Sequence, residues 1–327
     1  MGDSLLPYLE LKIHPILKLP YVHEVKVIGK YDRSQGISPQ EKSGKLFNFK
    51  RPTVVLNDEI AEVRCFPGWD YVFHFSNVIA CYFKNIGRDV HVVYSLPTVQ
   101  ECWNVLRNSS LQELPCTEVV ILGYVEGLDF LSEDKKWQGD GDFLWKICKF
   151  GSCQTLLLGC KHTYWGEIAG RIVMLLAERG VKTVIYSGKL GSLDMKHTPN
   201  SYLATGGSSY MPGGELISWE NAFDCLDDPI VQKGLHTTIA SVLQETVIWH
   251  EQQPVETKFV DPEIGHMAFA ASVMNIKFSY LHIISDNLSA KYSFDLSNER
   301  NEKVLEDRRN LYRIIGAALS VILAQCQ

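Results

Sequence analysis

Phe259-Val260-Asp261-Pro262-Glu263, with Ile284-Ser285-Asp286-Asn287 some twenty residues on, decides how this chain is read. Each stretch sets a carboxylate at the edge of a regular element. Between them, Ile264, Met267, Ala268, Ala271 and Met274 fall on one face of a helical period. Phe278-Ser279-Tyr280-Leu281-His282-Ile283-Ile284 then has the composition of a strand. The order is loop, acid, helix, strand, acid. A helix packed on the strand that follows it brings Glu263 and Asp286 to one pocket, able to hold sugar hydroxyls or a leaving group. Asp261 reads as the helix N-cap, and Pro262 suits a helix start.

The surrounding chain alternates in the same way. Glu118-Val119-Val120-Ile121-Leu122-Gly123 is a buried strand ending in glycine, and Gln154 to Leu158 is another. Gly166 to Arg179 reads as a helix with Ile168, Ile172, Leu175 and Leu176 on one face. Lys182-Thr183-Val184-Ile185-Tyr186 is a strand running into Ser187-Gly188-Lys189-Leu190-Gly191, and a last helix spans about 303–326. Strand and helix in alternation predict an α/β protein with a mixed sheet covered by helices. Ligands of such sheets gather at strand carboxyl ends, where the glycines and acids lie. Upstream, 52–56 and 60–65 read as strands around a turn at Asn57-Asp58, 77–85 as a helix, 87–94 as a strand, and Pro97-Thr98 as the start of a helix through Leu106. The polar stretch 108–115, ending in proline, divides an N-terminal α/β region (1–115) from the rest (116–327).

Composition sets limits. The 327 residues are 46% hydrophobic and 21% charged, with net charge -6. That balance argues against a general nucleic-acid binder. No apolar run reaches the ~18 residues of a membrane span, and the N-terminus carries no signal-peptide pattern. The nine cysteines form no CxxC pair and no zinc-ligand spacing with His162, so reduced thiols, a cytoplasmic setting and no bound metal are expected.

Four stretches in order resemble the nucleoside phosphorylase superfamily, which includes purine nucleoside phosphorylases, uridine phosphorylases and methylthioadenosine nucleosidases. They are Val120 to Glu126, Val184 to Leu193, Val260 to Glu263 and Ile283 to Asn287. The resemblance covers about 116–327; residues 1–115 have no recognised counterpart. It implies a twisted mixed sheet flanked by helices, a pocket for a nucleoside or nucleotide, and cleavage of an N-glycosidic bond without a cofactor, with phosphate as an optional co-substrate. Asp286 would be the catalytic acid at the purine N7, and Glu263 would hold the ribose hydroxyls. Gly123, Gly188 and Lys189 would line the pocket from the two glycine turns, and Trp249 or Ile248 would face the base. Sites in this family lie near subunit interfaces, so the resemblance also implies a homo-oligomer.

The departures bear on the reaction. The first turn, Gly123 to Asp129, has no phosphate-binding arginine, and Tyr186 stands at the central-strand arginine position. Lys189 replaces the usual serine or threonine. The nucleosidase glutamate position matches Leu128, with Asp129 adjacent and Glu126 two before. Hydrolysis, phosphorolysis, a catalytically silent nucleoside-binding protein and a biosynthetic enzyme of altered chemistry all remain open at this point. On the residues alone, His266 reads as a packed histidine, and His162 as a candidate for the pocket mouth.

Overall fold

A computed structural model describes residues 5–30, 32–34, 38–290, 292 and 301–324. The chain opens with α1 (Leu5–Glu10) and β1 (Glu24–Gly29). The hairpin β2 (Thr53–Asn57) and β3 (Ile60–Cys65) turns at Asp58, whose positive φ of 54° an aspartate tolerates. Next come α2 (Trp69–Asn85), β4 (His91–Ser95) and α3 (Val99–Arg107). Thr98 and Glu101 form the capping box that starts α3. These strands make one sheet in the order β2-β3-β1-β4, with β3, β1 and β4 parallel.

The second sheet is built from β5 (Val119–Gly123), β6 (Phe143–Phe150), β7 (Cys153–Cys160), β8 (Thr183–Ser187) and β16 (Lys277–Tyr280), ordered β16-β8-β5-β7-β6. β5 is buried along its whole length, as its unbroken apolar run predicts for a strand covered on both faces. Its residues alternate between two cores. Val120 and Leu122 join Ile168, Ile172 and Leu176 of α4 (Glu167–Glu178). Val119 and Ile121 join Leu311, Ile315 and Leu319 of α7 (Glu302–Ala324). The sheet is therefore a filling between α4 and α7, the expected mixed sheet flanked by helices.

The third sheet takes β9 (Lys189–Ser192), the short strands β10 (Leu203–Thr205), β11 (Ser208–Tyr210), β12 (Leu216–Ser218), β13 (Val231–Lys233) and β14 (Leu235–Thr238), then β15 (Thr257–Asp261) and β17 (His282–Asn287). Its order is β12-β11-β14-β15-β9-β17-β10-β13. Helices α5 (Val247–Glu251) and α6 (Ile264–Val273) stand on either side of β15 in the chain. Two expectations change here. The run Phe278 to Ile284 is not one strand but β16 and β17, broken at Leu281. The glycine stretch after β8 is not wholly a turn: Gly188 is the break, and β9 continues as a strand. β16 lies parallel to β8, and β17 parallel to β9, so the pair leaves one sheet and enters the other together. Leu281 N–H to Tyr186 O (3.0 Å) and Ile283 N–H to Gly188 O (3.0 Å) hold the bend. Gly188 is required there, since a Cβ on it would stand 2.8 Å from His282 Nε2.

Helix α2 meets α4 through reciprocal caps. Glu167 accepts the Trp69 and Asp70 N–H groups (2.9 and 3.2 Å), while Asp70 Oδ2 accepts the Glu167 N–H (3.0 Å). Each helix start thus borrows a carboxylate from the other, satisfying N-terminal donors and complementing both dipoles. His266 Nε2 lies 3.1 Å from the same Asp70 Oδ2, so this histidine is engaged at the packing seam. Glu167→Ala is expected to lower stability by about 1–2 kcal/mol, seen as a lower urea midpoint at unchanged slope. An unchanged midpoint would show that water replaces the cap without loss.

Candidate active site

The strand order β15-β9-β17 places the two acidic stretches on opposite sides of β9. Val260 and Asp286 both pair with Gly191. A Cβ at Gly191 would be 3.1 Å from Asp286 Oδ2 and 3.2 Å from Val260 Cγ1, so only glycine lets the two flanks approach. Neighbouring strands lie about 4.8 Å apart, which sets the acid-bearing strands about 10 Å apart. A register shift between Ile284 and Asp286 in β17 re-aims the strand end.

Asp261 ends β15 and is buried. Its Oδ1 accepts the Glu263 and Ile264 N–H groups (3.0 and 2.9 Å), which makes it the side-chain cap of α6. Oδ1 also lies 3.1 Å from His236 Nε2, and His236 Nδ1 lies 2.9 Å from Ser209 Oγ. Burial opposes its charge, but the His236 hydrogen bond and charge outweigh it and hold the carboxyl below the usual range. His282 Nε2 is 3.9 Å from Asp261 Oδ2, and burial pushes this imidazole down to about 4 against the pull of Asp261.

Glu263 sits at the start of α6, 9% exposed. The Tyr186 hydroxyl donates to its Oε2 at 3.4 Å. Burial first, and then the Asp261 charge, push its carboxyl well above the usual range. Two carboxyls two residues apart are thereby separated in role, Asp261 ionised and Glu263 favouring its proton. The Tyr164 ring packs beside Tyr186, with ring centres 6.4 Å apart.

Asp286 is partly buried near the end of β17. Burial raises its pKa, against the Ser285 hydroxyl (2.9 Å to Oδ1) and the charges of Lys189 and Arg308. Arg308, on α7, is itself buried and fixed to Asn200 Oδ1 at 2.8 Å. Glu245 faces Asp286 from the segment before α5; burial, then the Asp286 charge, push it well above the usual carboxylate range. Asn287 donates to Asp194 O and His197 O (2.7 and 2.8 Å), which anchors the strand end.

The other expected residues lie as follows. Lys189 Nζ is 5.7 Å from the centre of the Tyr124 ring. Gly123 ends β5 with φ 117°, and the Tyr124 N–H after it donates to Ser187 O at 2.7 Å, joining the two glycine turns. Trp249 and Ile248 ride on α5, where Ile248 is 67% exposed. His250 of that helix is tied to Ser289 Oγ at 2.8 Å, beside the end of β17. The nucleophile positions are occupied otherwise. Leu128 is buried, Asp129 pairs with the buried Lys146 at 2.6 Å, and Glu126 accepts the Leu46 N–H at 3.3 Å. His162 lies 3.2 Å from Asp142 and stacks on Phe66.

Glu263→Gln is expected to raise stability. Above the ordinary carboxylate range the unfolded chain ionises at this position while the folded protein holds its proton. Folding then takes up a proton, and stability falls as pH rises towards the raised folded pKa. Glutamine removes that loss, so the gain in melting temperature grows from acid to neutral pH; a gain that shrinks with pH refutes the assignment.

No protein-family model matches this chain. Oxidoreductase cns1 of Cordyceps militaris is 26% identical over 316 residues, covering 80% of this chain and 38% of that protein. This chain thus spans well under half the length of the curated relative it matches. Among solved structures, the 5'-methylthioadenosine/S-adenosylhomocysteine nucleosidase of Campylobacter jejuni superposes with a TM-score of 0.50 at 14% identity, over 64% of this chain and 99% of that one. The S-adenosylhomocysteine nucleosidase of Streptococcus pyogenes, solved with 5-methylthiotubericidin, gives 0.50 at 15% identity, over 64% and 98%. Over about two thirds of its length the chain has the fold of these nucleosidases.

Proposed function

We propose that this protein binds a purine nucleoside-like substrate between β15 and β17 and cleaves its N-glycosidic bond. The observation that supports the reading is that Asp261, with Pro262 and Glu263 directly after it, ends one of the two strands that flank β9, and Asp286 lies near the end of the other. Glu263, backed by Tyr186, takes the ribose hydroxyls. Asp286, its proton favoured by burial, gives that proton to the base. As the C–N bond breaks, its electron pair passes to the leaving base, and an acid there lowers the cost of the charge. Water supplies hydroxide to the anomeric carbon, and its remaining proton restores Asp286. Atoms and charge then balance as hydrolysis.

A second reading has a specific observation in its favour. Leu128, Asp129 and Glu126 are all engaged elsewhere, so no carboxylate of the first turn is placed to activate water. A protein that binds the nucleoside and leaves the bond intact fits that arrangement. Incubation with adenosine, inosine and methylthioadenosine, with and without phosphate, separates the readings by chromatography of free base. Release without phosphate supports hydrolysis, and release only with phosphate supports phosphorolysis. Saturable binding with no release supports the second reading.

A further inference from the structure

The segment from Ser241 to His250 is pinned at both ends, and Glu245 lies between the pins. The first pin comes from the N-terminal region. His74 of α2 is buried, its Nδ1 lies 2.8 Å from Ser241 Oγ, and its ring stacks on Trp165 with centres 4.3 Å apart. Trp165 Nε1–H donates in turn to Ala240 O at 2.8 Å. Burial, then the Lys12 charge, push the His74 imidazole down to about 3, so it is neutral at physiological pH. Ser241 Oγ accepts the Leu243 N–H at 3.3 Å, which leaves its own proton for His74 Nδ1. Ser241 and Gln244 form a capping box around the turn Val242–Gln244, and Glu245 follows directly. The second pin is His250 Nε2 on Ser289 Oγ (2.8 Å), just past the strand that carries Asp286.

Glu245 has an unusual setting. Protein surrounds it closely, yet part of its surface stays open. Asp286 and Tyr8 of α1 have the same setting. Burial and then the Asp286 charge raise Glu245. Burial and then the Glu245 charge raise the Tyr8 phenol, and Asp286 adds to them. Charges act on one another in this way only over short spans, so the three side chains face one recess. Among the described residues the Glu245 carboxyl has no hydrogen-bond or ion-pair partner. A closely surrounded carboxyl without a partner is costly unless a ligand meets it.

A purine can meet two such groups at once. Adenine presents the N7 acceptor and the 6-amino donor side by side on one edge. A carboxyl that keeps its proton both donates and accepts, so it can serve a 6-substituent of either kind. We propose, on the reading that places the base at Asp286, that Glu245 is a further substrate-binding residue, which takes the 6-substituent of the purine. Tyr8 lines the same recess from α1, and His74 is the positioning residue that holds the segment. The N-terminal region is thereby a working part of the nucleoside site.

Calorimetry on the full chain tests this, with adenosine, purine riboside (no 6-amino group) and 7-deazaadenosine (no N7) as probes. The wild type is expected to prefer adenosine to purine riboside. Glu245→Ala should weaken adenosine about tenfold and purine riboside less than threefold, so that the preference is lost. Glu245→Leu, of similar bulk and without polar atoms, gives the same comparison if the alanine variant fails to fold. His74→Phe keeps a ring to stack on Trp165 but loses the bond to Ser241, and should narrow the preference about threefold. A preference that survives loss of the Glu245 carboxyl overturns the proposal, as does an equal loss for both ligands or a wild type with no preference. A preference unchanged in His74→Phe removes His74 from the positioning role. The Asp286 reading fails separately, by equal binding of adenosine and 7-deazaadenosine.

Discussion

Asp286→Asn is expected to slow base release by about 10²- to 10⁴-fold, the range for loss of a positioned general acid. Asparagine keeps the shape of the side chain but has no proton to give the base. The carboxyl is raised by burial despite the nearby charges of Lys189 and Arg308, so the wild type holds its proton further up the pH scale than an exposed aspartate. Activity should therefore fall as pH rises above the ordinary carboxylate range, and that limb should be missing from any residual activity of the variant. Glu245 gives a second readout. Its carboxyl is pushed up by burial first and by the Asp286 charge second. Neutral asparagine removes the second push, so Glu245 should titrate lower in the variant. Circular dichroism and melting temperature establish that the variant is folded. A folded variant that retains more than about a tenth of wild-type activity removes Asp286 from the role of acid.

Gly123→Ala carries the largest expected loss of stability. The residue joins β5 to the first turn at φ 117°, a conformation that side-chain-bearing residues rarely adopt. An added Cβ would lie 2.2 Å from Ser187 O and 2.8 Å from the Tyr186 ring. Backbone strain of about 1–3 kcal/mol adds to overpacking of similar size, for a loss of about 2–5 kcal/mol. Tyr186 is also the donor to Glu263, so nucleoside affinity should fall together with stability. Gly151→Ala is the control, with φ 61° but nothing within 4 Å of the added Cβ, and should cost only about 1–2 kcal/mol. Equal losses in the two variants, read from denaturant midpoints, would show that strain alone matters and that the close approach of the two glycine turns does not.

Much of the helix-and-strand framework was legible because its signals were long. β5, β8 and α4 follow from unbroken apolar runs or a helical stripe, and α7 from a stripe that its burial pattern repeats. β9 was hidden because Gly188-Lys189-Leu190-Gly191 has the composition of a turn, although it forms the strand between the two acids. The short strands β10 to β14 have too few residues to show any period. The first half of α2, Trp69 to Ser76, is rich in aromatic residues of strand-like propensity, and tertiary packing on α4 overrides it. In the site, Asp261 as cap of α6 followed from its position before Pro262, and the structure shows the two bonds. His236, Glu245 and Arg308 had no sequence signal, since each reaches its place from a distant element, and His282, although on β17 with Asp286, meets Asp261 only across β9. Leu128, Asp129 and Glu126 illustrate the converse: their spacing kept a nucleophile open, and only their partners show that they are engaged.

In the proposed complex a nucleoside lies across β9, with its sugar at Glu263 and its base at Asp286. A crystal of the full chain soaked with adenosine tests this most directly. The predicted result is density with ribose hydroxyls within hydrogen-bond reach of Glu263 and the purine N7 within reach of Asp286. Adenosine bound with neither contact, or bound in another part of the molecule, would contradict it.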